Sequence, residues 1–183
     1  VASMVPGSNA ALTAENPHLT RVLVGLGWGM TPSRGPQAEP VPLAIMCGKD
    51  GRALSDEHLV FFNQISTSAG GLEFVGTEDQ EQIDVVFSLI PEAVSKIAFL
   101  VYVDPEVRGP GTFAAVKDSY IRVANEQDAE LLRFTIPPQD QSRIKAMMFG
   151  ELYRHGANWK FRALGQGYQD GLAGVARDFG LVL

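Results

Sequence analysis

The sequence predicts a mainly β protein, a two-sheet β-sandwich with a few short helices, one of them near the C-terminus. Two observations carry that expectation. The dominant hydrophobic period along the chain is two, clearest where Trp159, Phe161 and Ala163 alternate with Lys160 and Arg162, so one face of that segment is buried and the other wet. The apolar runs are also short, numerous and separated by turn residues, a pattern that favours stacked sheets over a parallel α/β fold. With 183 residues, 45% apolar composition and 20% charged residues, the chain can bury one substantial core and needs no second domain.

In chain order, the opening VASMVPGSNA reads as the start of a flexible arm over residues 1–18, ahead of a single sandwich domain over residues 19–183. Residues 19–26 form the first strand, with Val22 and Val24 set against Leu23 and Gly25 before Gly27, Trp28 and Gly29 break the pattern. TPSRGPQAEP is a loop, because its prolines cannot donate to a ladder. Residues 41–47 form the next strand, and Pro42 must lie near its start or on an edge. A turn follows at Lys49-Asp50-Gly51. Further strands are expected at 59–62, 72–75, 83–87, 97–103, 120–123, 131–136 and 144–153. Thr112 starts a short turn through Phe113 to Val116, and Asp170 caps a helix whose Leu172, Val175, Ala176 and Phe179 share one stripe before Gly180 ends it.

Charge and cysteine usage exclude several classes. A formal charge of −6 opposes binding to nucleic acid or an anionic membrane, and Arg154, Lys160 and Arg162 read as one solvated strand face. Cys47 is the only cysteine, so no internal disulfide or Cys/His zinc pattern exists, and its apolar setting marks a small buried group without thiolate stabilisation. No apolar run approaches the roughly 20 residues that span a bilayer, and the opening lacks a basic leader followed by an apolar core. The expected location is cytoplasmic.

Enzyme readings find little support. His18, His58 and His155 are scattered without a nucleophile or metalloprotease motif. Gly25, Gly27 and Gly29 miss the dinucleotide spacing, and Gly165, Gly167 and Gly171 precede a helix without a G-K-[ST] ending. Their simpler role is turning the chain.

Residues 150–183, GELYRHGANWKFRALGQGYQDGLAGVARDFGLVL, closely resemble the C-terminal end of the TerD family. The resemblance continues through SDEHLVFFN, DQEQIDV, TFAAVKDSYIRV and FGELYRHGANWKFRALGQGY, and covers most of the chain from about Leu19 onward. It implies a tellurium-resistance or stress-response protein built as a calcium-binding β-sandwich, with no catalytic triad. Ca²⁺ needs about six to eight oxygen ligands, several of them anionic. Typical relatives follow the GW pair with Asp and open the next strand with D-x-D-x-S. Here Gly29 follows Trp28, while Pro40, Pro42 and Ala44 fall at the two aspartate and serine positions.

The second acidic region of the family ends in D-D-E-x-I, and here Asp79, Gln80 and Glu81 lead to Ile83 through a shorter loop. Asn63 matches the asparagine after the aromatic pair, and Asp104 an acidic position after a core strand. The resemblance therefore leaves Asn63, Asp79, Glu81 and Asp104 as the residual metal cluster, set against the simpler reading of residues 78–81 as an exposed turn. The expectation is a non-enzymatic TerD-like protein whose Ca²⁺ binding is weak or absent. Two alternatives stand beside it: a calcium sensor keeping one weak site, and an interaction module that recruits other stress-system proteins. Neither nucleic-acid binding nor membrane insertion is expected.

Overall fold

The computed structural model describes residues 2–30, 40–54, 59–60, 72–75, 81–103, 113–137 and 143–181. The described strands form two sheets. The first runs in the order β1 (Ala2–Ser3), β10 (Glu130–Thr135), β9 (Val116–Ala124), β3 (Arg21–Met30), β7 (Glu81–Val86) and β6 (Leu72–Val75). The second runs β2 (Asn9–Ala11), β12 (Asn158–Tyr168), β11 (Ala146–His155), β8 (Lys96–Val103), β4 (Pro40–Cys47) and β5 (Leu59–Val60). The pairings are antiparallel apart from β1 on β10.

The period-two pattern explains the packing. Val22, Val24 and Leu26 on β3 and Ile83 and Val85 on β7 face Ala44, Met46, Ile97, Phe99, Phe149 and Phe161 of the other sheet across one core. The side chains of Phe99, Phe149 and Phe161 are fully buried, each contributing about 1.5–3 kcal/mol of apolar transfer. The opposite faces of β4 and β8 are apolar too. Leu43, Ile45, Cys47, Ala98 and Leu100 pack in a second cluster with Val175, Ala176 and Phe179 of α1 (Gly171–Phe179). Strands covered on both faces lose their polar alternation, which is why residues 43–47 read as an unbroken apolar run.

Several expectations shift in detail. Residues 2–18 do more than form an arm: β1 extends the first sheet, β2 pairs with β12, and Leu12 is buried. A chain that bridges the edges of both sheets belongs to the sandwich, so the packing has no boundary at residue 19. The expected 83–87 strand begins earlier, at Glu81, and Phe87–Leu89 forms one turn of 3₁₀ helix. The expected 144–153 strand lies at Ala146–His155. α1 ends at Gly180 as anticipated, but Asp170 makes no side-chain cap and instead accepts a hydrogen bond from Arg177 Nη2 at 2.7 Å. Phe113–Ala115 is a 3₁₀ turn, while Thr112 lies outside the described residues. Pro42 is the third residue of β4, opposite Val101 of β8.

Candidate functional site

The two ends of the sandwich are built differently. At one end β3 finishes and β4 begins, β7 starts beside β3, and β8 finishes beside β4 with Pro40 opposite Val103. The Phe113 N–H donates to the Ile144 carbonyl at 2.7 Å, tying the approach to β9 in one sheet to the approach to β11 in the other. At the other end, the Phe87 and Trp159 rings stack across the sheets with centroids 5.3 Å apart.

Every described position that the TerD resemblance marks for metal belongs to the first end. Glu81 lies opposite Leu26 and continues the inward stripe of Val85 and Ile83, so strand alternation turns it toward the space between the sheets. It is half-buried, and desolvation raises its carboxyl pKa above the ordinary range. From the other sheet, Pro40 and Pro42 share the inward face of Ala44 and Met46, both in the intersheet core. Strand alternation thus turns the 40, 42 and 44 side chains toward the intersheet side, on the strand that begins at the same end as β7, and none of the three carries an oxygen.

Ser119 adds one hydroxyl. It shares the inward face of Ile121 and Val123 on β9, and its buried Oγ has no hydrogen-bond partner among the described residues. Asn63, Asp79 and Asp104 lie outside the described residues, as do Glu78 and Gln80. Of the expected cluster, Glu81 alone is therefore placed. Among the described residues, no three His, Cys, Asp or Glu side chains group together. Among the described residues, this end of the sandwich offers the half-buried Glu81 carboxylate and the Ser119 hydroxyl.

The remaining sequence-level candidates separate cleanly. Cys47 is buried, and burial pushes its thiol pKa up to about 12, with Lys96 partly opposing that shift; this is the environment of an inert core thiol. His18 and His155 are exposed, and His58 lies outside the described residues. Arg154 departs from the solvated face it was expected to share with Lys160 and Arg162. A register shift in β11 between Met148 and Gly150 carries Leu152 inward, and Arg154 follows on the same side. Its guanidinium lies over the Trp159 ring and donates to the Val94, Ile90 and Pro91 carbonyls.

The described geometry defines a class: a two-sheet antiparallel β-sandwich with one C-terminal helix packed on the outside of the second sheet. Comparison with known proteins makes the assignment specific. The TerD domain family model matches residues 1–179, and the chain belongs to the TerD family. It is 33% identical to tellurium resistance protein TerD of Serratia marcescens, over 98% of this chain and 97% of that protein. It is 34% identical to general stress protein 16U of Bacillus subtilis (strain 168), again over 98% of this chain and 97% of that protein. The fold also matches the crystal structure of a homologue of telluride resistance protein (TerD) from Streptomyces coelicolor A3(2). That match has a TM-score of 0.64 at 20% identity and covers 86% of this chain and 95% of that one.

Proposed function

We propose that this chain is a non-enzymatic, cytoplasmic TerD-type protein of the tellurium-resistance and stress-response kind, with calcium binding reduced or lost. The observation that carries the reading is the oxygen-free inward stripe of Pro40, Pro42 and Ala44 on β4, at the end of the sandwich where Glu81 opens β7. Stripping water from a divalent cation is offset by anionic ligands, and affinity follows their number and rigidity. Three positions without oxygens remove both charge and coordination number. Waters can replace the coordination but not the charge.

Calorimetric titration of the purified chain with CaCl₂, alongside thermal unfolding with and without chelator, tests the proposal. The expected result is no saturable heat at micromolar calcium and no change in Tm on chelation. Tight binding at two sites would overturn it.

A further inference from the structure

A second polar region occupies the opposite end of the sandwich, on the outer face of the second sheet beside α1. There a cleft of about 310 Å³ opens between the Gly48–Gly51 turn, the start of β8 and the paired ends of β11 and β12. Its charged lining is Lys49, Asp50, Lys96, Glu151, Arg154 and Arg162. With the Arg154 guanidinium turned away onto Trp159, the cations Lys49, Lys96 and Arg162 face the carboxylates Asp50 and Glu151, a local positive excess on a chain whose total formal charge is −6.

The cations are held in place by the chain itself. Glu151 is 4% exposed, accepts a hydrogen bond from Arg162 Nη1 at 3.1 Å, and has its other oxygen 3.4 Å from Lys96 Nζ. The Arg162 guanidinium also lies over the Tyr153 ring, 4.6 Å from its centroid. Lys96 Nζ stands 3.3 Å from where a Cβ on Gly51 would be, so a side chain at that turn would crowd the ammonium. Yet the Arg162 and Lys96 side chains remain 41% and 31% exposed.

A guanidinium carries five N–H donors and an ammonium three, and the contacts with Glu151 engage one nitrogen of each. An ordinary surface ion pair balances its charge and leaves its long side chains to move. This one holds two cations on one buried carboxylate, with Lys49 lining the same cleft and rotamer freedom already reduced. Ordering of that kind lowers the entropic penalty of taking up an anion.

We propose that this cleft binds a phosphate-type oxyanion, as inorganic phosphate or as the phosphate of a monoester, between Lys96 and Arg162. Glu151 is the positioning residue that sets the two cations side by side. The site is remote from Glu81 and takes nothing from the calcium reading.

The full chain is titrated at low ionic strength with inorganic phosphate and, separately, with phenyl phosphate, followed by calorimetry and amide NMR shifts. Saturable binding is expected, with shifts centred on residues 48–51, 95–96 and 151–154. Arg162→Gln and Lys96→Gln should each weaken binding about ten-fold or more, since each removes a charge-assisted contact. Glu151→Gln should strengthen it, because the amide oxygen still accepts from Arg162 while the repelling charge is gone. Structural damage alone would weaken binding in all three variants. Lys117→Gln, exposed on the first sheet, should bind as the unaltered chain does. Equal affinity for both probes assigns the free oxyanion, and preference for phenyl phosphate assigns an ester. No saturation with either probe, shifts centred elsewhere, or a Glu151→Gln variant that binds more weakly overturns the proposal.

Discussion

The Arg154 guanidinium lies 4.5 Å from the centroid of the Trp159 ring and donates to the carbonyls of Val94 at 2.8 Å, Pro91 at 3.2 Å and Ile90 at 3.3 Å. With Phe87 stacked on the same indole, one side chain fastens the connection between β7 and β8 to the second sheet. Arg154→Ala should therefore lower unfolding stability by about 2–4 kcal/mol, through part-buried carbonyls left unpaired and a lost cation–π contact. Arg154→Lys should recover only part of that loss, because an ammonium lacks the planar fork. Urea unfolding checks both, and a loss under about 0.5 kcal/mol for the alanine variant would count the clamp as decorative.

Gly27 supports a second prediction. A Cβ there would collide with the Tyr120 ring, which lies across β3 with Arg133 stacked 4.4 Å above it. Gly27→Ala should cost about 1–3 kcal/mol by overpacking. In a double-mutant cycle, Gly27→Ala combined with Tyr120→Ala should lose less than the sum of the single losses. Strict additivity would mean that the ring does not set the requirement for glycine.

The raised pKa of Glu81 fixes a pH dependence. Desolvation makes the folded chain hold the Glu81 proton more tightly than the unfolded chain, so its contribution to stability is complete below the unfolded pKa. That contribution is lost as pH rises through the folded pKa. Above that window, Glu81→Gln should be more stable than the unaltered chain, and the difference should vanish in acid. Chemical denaturation across the acid limb measures it. A stabilisation that persists unchanged below the unfolded pKa would contradict a desolvation origin.

Restoring oxygens tests the calcium reading from the other direction. Pro40→Asp, Pro42→Asp and Ala44→Ser combined place two carboxylates and a hydroxyl on the inward stripe of β4, nearer the family pattern. Without metal, the buried serine hydroxyl should cost about 1–3 kcal/mol. With calcium at a hundred times the dissociation constant, the variant should regain about 2.7 kcal/mol. Thermal unfolding over a calcium series checks this, and a variant indifferent to calcium would show that oxygens at these three positions do not suffice to build a site.

How legible each feature was depended on the range of the interaction behind it. Strand alternation is local, so Val22 and Val24, or Phe161 and Ala163, declared their shared faces directly. The stripe of α1 and its end at Gly180 were equally plain. Residues 2–11 did not announce β1 and β2, because strands this short depend on backbone bonds to β10 and β12 rather than on any pattern of their own. Arg154 escapes the local pattern for a related reason. The register shift at Met148 and Gly150 breaks strict alternation, and its carbonyl partners lie about 60 residues earlier in the chain.

The amino-acid order by itself determined the family, the two-layer β architecture and the oxygen-free residues at 40, 42 and 44, since each is written in residue identity and short-range spacing. Only the tertiary structure decided that this stripe points inward, at the end of the sandwich where Glu81 opens β7. It also gathered Lys96, Glu151 and Arg162 into one cleft, and turned Arg154 from a surface charge into a clamp. Local alternation says which side of a strand a residue occupies. Which strand lies beside it is settled by pairing and core burial across the whole chain.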